Sequence, residues 1–174
     1  DFRTVDITKP RDPALLARTR GVTALPVLDA GDGDGTVVLR ESLVILRYLE
    51  MAFPDPPVAR RDPLEHAQEN LLVTLEGPLT DAGYRFVMNQ DRSRRDALHE
   101  ALLREFARLD EQLRQIGDPA DPSPWAFDRF GWAEVVFTPI FQRFEFLAYY
   151  EGFDLPAEAR FDRVRRWRDA CLSH

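Results

Sequence analysis

Hydrophobic and polar positions change their period about a third of the way along the chain. In FRTVDI (2–7), β-formers in near-alternation predict a short strand. Asp12-Pro13 supplies an N-cap and a first-turn proline, predicting a helix to about Thr19 that Gly21 closes. ALPVL (24–28) and TVVL (36–39) predict two more strands, joined by DAGDGDG, whose residues tolerate the positive φ of a hairpin connection. From Ser42 the spacing of Leu43, Ile45, Leu46, Leu49 and Phe53 is helical, and Pro54 stops it.

A proline-rich linker follows, and after it the period is helical throughout. Asp62-Pro63 opens a helix through Leu64, Ala67, Leu71 and Leu75, which Gly77-Pro78 is expected to kink or break. Ser93-x-x-Asp96 starts the next, with an apolar stripe of Leu98, Leu102, Phe106, Leu109, Leu113 and Ile116 and Gly117 as C-cap. Trp132 to Tyr150 reads as one buried helix containing Pro139, and a last helix covers Ala157 to Leu172. The expected fold class is α+β: a strand-bearing domain over 1–53, a linker over 54–61 and an all-α domain over 62–174.

Composition narrows the function classes. Among 174 residues, 23 basic against 30 acidic give a net charge of −7, which argues against nucleic acid or an anionic membrane as main partner. No run approaches the ~18 apolar residues of a membrane span. A single cysteine, Cys171, excludes an internal disulfide and a cysteine-based metal cluster and fits a reducing, cytosolic compartment. Asp1-Phe2 opens directly into a predicted strand and the chain stops within a helical pattern, so both ends are expected to be cuts through a longer protein.

Most chemistry-bearing residues read as structure. A calcium loop starting at Asp32 needs a carboxylate at its twelfth position, which is Leu43, so no metal site is expected. His66, His99 and His174 are isolated and read as solvated surface residues; Cys171 reads as a small half-buried hydrophobe. Arg163, Arg165, Arg166 and Arg168 wrap around their helix and read as a solvated face. Pro139 fits less well, because proline in a helix interior costs ~3 kcal/mol unless a bend is wanted.

Leu25-Pro26 and Glu41-Ser42 point to a ligand. A proline at the head of an apolar strand, beside a turn, predicts a cis bond that turns the Leu25 N–H and C=O out of the sheet, towards an extended ligand. Ser42 falls at a helix N-terminus, which favours a carboxylate, and Glu41 is placed to accept from an ammonium. Together they ask for a peptide with a free α-amino-acid end. The alternative is Ser42 as a plain N-cap and Glu41 as a surface residue.

GVTALPVL (21–28), LRESLVILRYLE (39–50) and the following FPDP together resemble the glutathione S-transferase family over essentially the whole chain. The resemblance implies the later part of a thioredoxin-like domain, lacking its first strand and helix, followed by the family's all-α domain. It implies that Leu25, before a cis Pro26, pairs with the cysteinyl part of glutathione, and that Glu41 and Ser42 hold the γ-glutamyl end. YLEMAFPDPPVARRDPLEHA (48–67) and TPIFQRFEF (138–146) are similar to the cysteine-type omega and lambda classes, whose nucleophile lies at the start of the first helix, here ahead of Asp1. The implied activity is glutathione-dependent thiol transfer or reduction of a small electrophilic or disulfide-type substrate by a cytoplasmic homodimer. That substrate is expected between the domains, lined by Tyr84, Phe86, Trp132 and Phe137. A conjugating transferase with an upstream Ser or Tyr, or a non-catalytic binding protein of the same fold, shares these residues. One motif departs from the family: its Ser/Thr-x-x-Asp box reads Gly131-Trp132-Ala133-Glu134, keeping an acid but losing the hydroxyl cap.

Overall fold

The computed structural model describes residues 2–31, 37–116 and 123–174, in two units, Asp1–Pro56 and Pro57–His174. The first contains α1 (Pro13–Arg18), β1 (Val27–Ala30), β2 (Val37–Arg40) and α2 (Ser42–Ala52). Asp12 caps α1 by accepting from the Ala14 N–H at 2.7 Å. β1 and β2 are antiparallel, running from Val27↔Arg40 to Ala30↔Val37. Most of their connection, 32–36, lies outside the described residues. The strand expected at 2–7 does not form: the segment is irregular, and Phe2 and Ile7 are exposed. Alternation alone cannot make a strand, and among the described residues this one has no ladder partner.

The second unit is all-helical: α3 (Pro63–Val73), α4 (Glu76–Val87), α5 (Arg95–Gln115), α6 (Trp132–Arg143), α7 (Glu145–Glu151) and α8 (Asp162–Ser173), with 3-10 turns at Arg92–Arg94 and Ala159–Phe161. Asp62 caps α3 through the Leu64 and Glu65 N–H groups, both at 3.0 Å. The α3–α4 break comes ahead of Gly77-Pro78 and leaves Pro78 in the first turn of α4, where a missing N–H costs nothing. Asp91, rather than Ser93, caps the turn before α5, accepting from the Ser93 N–H at 3.0 Å. The expected cap Gly117 lies outside the described residues. The segment 132–150 is two helices, divided at Phe144 rather than at Pro139, which lies within α6. The last helix starts at Asp162, after a 3-10 turn, rather than at Ala157.

Phe144 covers Gly83 of α4 so closely that a Cβ there would lie 2.5 Å from the ring Cζ. Gly83→Ala is therefore expected to destabilise the unit by ~1–3 kcal/mol through overpacking, read as a lower urea midpoint at unchanged m.

The core of this unit holds Leu72, Leu79, Leu102, Phe106, Leu109, Phe161 and Trp167, each at most 2% exposed. Among the described residues three carboxylates are buried with them, and each satisfies N–H groups at the start of a helix. Asp110 Oδ1, from α5, accepts from the Arg163 and Val164 N–H groups of α8 at 2.7 and 2.9 Å. Glu134 Oε2 accepts from the Gly131 N–H at 2.8 Å, while its Oε1 takes the Ala126 N–H and the Trp167 indole N–H, both at 2.7 Å. Glu69, from α3, accepts from the Trp132 N–H at 2.9 Å and the Arg60 N–H at 3.1 Å. The hydroxyl that the Gly131 motif lacks is thus replaced by a carboxylate from another helix.

Candidate functional site

In the first unit the polar features gather at the open end of the hairpin. Val27↔Arg40 is the last rung of the ladder there, so Pro26 and Glu41 flank it on the two strands. Continuing the register brings Leu25 level with Ser42. The Leu25–Pro26 peptide bond is cis. Leu25 is 41% exposed, and among the described residues neither its N–H nor its C=O is engaged in a hydrogen bond.

Glu41 has φ 67° and ψ 115°, a conformation that side chains rarely adopt and that costs on the order of 1–3 kcal/mol. It ends β2 and begins α2 in one residue. Its carbonyl accepts from the Ile45 N–H at 3.0 Å, whereas its carboxylate does not cap the helix and is exposed. Among the described residues no side-chain cap closes α2, and Ser42, next to that carboxylate, is exposed. One edge therefore combines a free backbone donor and acceptor, an anion and a helix N-terminus. It can pair with an extended peptide and hold a carboxylate and an ammonium together.

The four residues expected to line a substrate cleft are placed differently. Phe86 and Phe137 are 1% and 0% exposed and belong to the aromatic interior, Phe86 against Phe153 and Phe137 against Trp167. Trp132 is 4% exposed at the start of α6. Tyr84 alone is substantially exposed, its ring centroid 5.4 Å from that of Phe146. Aromatic residues on a helix are drawn inward by their own burial energy, so their number marks the core before it marks a cleft.

Cys171 is buried, and burial pushes its thiol up to about 12, so it remains a protonated thiol near neutral pH. His99 is not on a polar face as expected: it packs against Phe86 and Phe153 at 5.5 and 5.7 Å. His174 stacks on Phe130 at 4.4 Å, and His66 is exposed. Arg163 is a clamp rather than part of a solvated face, donating to the Pro124 C=O at 2.9 Å and to the Trp125 C=O. Among the described residues no three His, Cys, Asp or Glu could share a metal ion, and no helix is long and apolar enough to cross a membrane.

Sequence reasoning passed over Glu69 and Asp110, although a signal exists. Each is an acid on an apolar helical face, Glu69 with Leu72 and Val73, Asp110 with Phe106 and Leu113. Charge in such a place calls for a buried partner.

Comparison with known proteins agrees along the chain. The family model for the glutathione S-transferase N-terminal domain matches residues 1–57, and that for the C-terminal domain matches 92–170. A maleylacetoacetate isomerase of Pseudomonas aeruginosa is 30% identical, aligned over 94% of this chain and 73% of that protein. Glutathione S-transferase omega-1 of Sus scrofa is 23% identical, over 98% of this chain and 68% of that protein. Among solved structures, the tau-class glutathione S-transferase of mango (Mangifera indica) superposes with a TM-score of 0.78 at 15% identity, over 97% of this chain and 75% of its own. Glutathione transferase omega 3C of Trametes versicolor gives 0.75 at 20% identity, over 98% and 68%. At those identities the structures speak for the fold.

Proposed function

The chain belongs to the glutathione S-transferase family, and from that premise we propose that it binds glutathione along the Leu25 and Glu41–Ser42 edge for thiol transfer or reduction. The substrate would be a small disulfide-type or apolar electrophilic compound, and a homodimer is part of the same proposal. The observation that carries the reading is the open hairpin end, where an unengaged Leu25 backbone faces an uncapped helix start across a single rung.

In this reading each group has one task. The Leu25 N–H and C=O pair with the cysteinyl residue as an added strand would, which fixes where the sulfur lies. The first-turn N–H groups of α2 and the Ser42 hydroxyl donate to the γ-glutamyl carboxylate. The Glu41 carboxylate accepts from the α-ammonium. The group that attacks or activates sulfur is not Cys171, which is buried and protonated.

Glu41→Ala and Ser42→Ala are each expected to weaken glutathione binding by ~1–3 kcal/mol, the loss of a charge-assisted hydrogen bond, measured by calorimetry. Unchanged affinity in both variants would overturn the site. A second reading, favoured by the 30% identity to a maleylacetoacetate isomerase, is that isomerase activity. Assaying one preparation for glutathione-dependent disulfide reduction and for maleylacetoacetate isomerisation separates the two.

A further inference from the structure

Arg40 closes the ladder opposite Val27, one residue before Glu41. Its guanidinium does not follow the strand outward. Nη1 donates to the Thr19 carbonyl at 3.0 Å, reaching back to the loop that leads into Leu25. That loop is already knotted. Thr19 is 1% exposed, its hydroxyl donates to the Val22 carbonyl at 2.6 Å, and its own carbonyl also accepts from the Val22 N–H at 3.3 Å. The Gly21 N–H returns to the Leu16 carbonyl at 2.7 Å, with Arg20 and Gly21 both at positive φ. Arg11 holds the next stretch, its Nε donating to the Thr23 carbonyl at 3.3 Å.

Near the edge itself, two of the contacts among the described residues join the Leu25 side directly to the residue before Glu41. One is the terminal backbone rung of a two-stranded ladder, which on its own is prone to fray. The other is the Arg40–Thr19 hydrogen bond, made by a charged donor to a buried residue and so the stronger kind. We propose that Arg40 is a positioning residue that holds the Leu25 loop at a fixed separation from Glu41 and Ser42, so that a ligand spanning both halves is met by a preformed edge. This rests on the glutathione reading and adds to it: Arg40 acts on the free protein, by removing an ordering cost that binding would otherwise carry.

The test compares two ligands and one ligand-free measurement in the full chain, for wild type, Arg40→Met, Arg40→Lys and Glu41→Ala. Glutathione spans both halves of the edge; γ-glutamyl methylamide reaches only the Glu41–Ser42 half. Arg40→Met is expected to weaken glutathione about tenfold, as for loss of one charge-assisted hydrogen bond, and to leave the short ligand within about twofold. The Gly21 and Val22 amides of the ligand-free protein, bonded to the Leu16 and Thr19 carbonyls in the loop that Arg40 holds, should exchange about tenfold faster. Arg40→Lys, which keeps one donor on a long stem, should recover most of each change. If Arg40→Met does not fold, Arg40→Lys carries the comparison, with smaller shifts in the same direction for glutathione alone. Equal loss for both ligands, or unchanged amide exchange, overturns the positioning role while the glutathione site stands. Absence of glutathione binding in wild type, or no effect of Glu41→Ala on either ligand, overturns both.

Discussion

Replacing Glu134 by alanine is expected to cost the helical unit ~3–5 kcal/mol, the range for leaving buried partners of a charged group unmatched. The carboxylate is 1% exposed and accepts from three elements at once: the Gly131 N–H before α6, the Ala126 N–H in the preceding loop and the Trp167 indole on α8. Removing it leaves three donors that water cannot reach without opening the core. Glu134→Gln keeps the shape but only one accepting oxygen, and it turns an N–H towards an N–H, so an intermediate loss is expected. Urea unfolding followed by tryptophan fluorescence reads both, since Trp167 is itself a partner. A loss below about 1 kcal/mol for Glu134→Ala would show that the network rearranges instead of breaking.

The second large effect is expected at Glu69. Glu69→Ala removes the acceptor for the Trp132 and Arg60 N–H groups and should cost ~2–4 kcal/mol. A Cβ on Gly131 would lie 3.1 Å from Glu69 Oε1 and 3.3 Å from the Val58 carbonyl, tighter than the site accepts without movement. Gly131→Ser alone should therefore destabilise by ~1–2 kcal/mol. In the Glu69→Ala background the same serine meets vacated space and can cap α6, so it should be neutral or stabilising by up to ~1 kcal/mol. A double-mutant cycle by chemical denaturation measures this change of sign, and additive losses would contradict it.

Glu69 also makes a prediction in pH. Burial, reinforced by the nearby Glu134 charge, holds its carboxyl above the ordinary 4.5, against the opposing pull of the Arg60 and Trp132 N–H groups and the Arg60 charge. The folded protein then binds this proton more tightly than the unfolded chain. The Glu69 contribution is full below the unfolded value and declines as pH rises through the folded one. Stability measured from pH 4 upward should carry this declining component in wild type and lose it in Glu69→Ala.

The local features were legible because they depend on few neighbours. Asp12-Pro13 and Asp62-Pro63 start helices by contacts confined to one turn, the Asp cap and the first-turn proline. The placement of two short motifs was legible for the same reason: Leu25-Pro26 and Glu41-Ser42 lie at a strand head and a helix start, and a single register brings them together. Where the aromatic residues lie was not legible, because sequence reports that a ring needs burial without saying where: Phe86, Trp132 and Phe137 are buried and Tyr84 is exposed. The segment 132–150 looked continuous because its apolar period is unbroken, while the structure divides it at Phe144, whose ring packs on Gly83 of another helix.

The sequence by itself determined the family and the short motifs that start α1, α2 and α3, each written in contiguous residues whose physics is local. Only the tertiary structure decided how the helical unit tolerates three buried acids. Asp110, Glu69 and Glu134 are acceptable in the core because each meets backbone N–H groups at the start of a helix. For Asp110 and Glu69 that helix lies more than fifty residues away, and no local pattern announces a partner at such separation. The glycine that looked like a lost cap is the space one of those carboxylates requires.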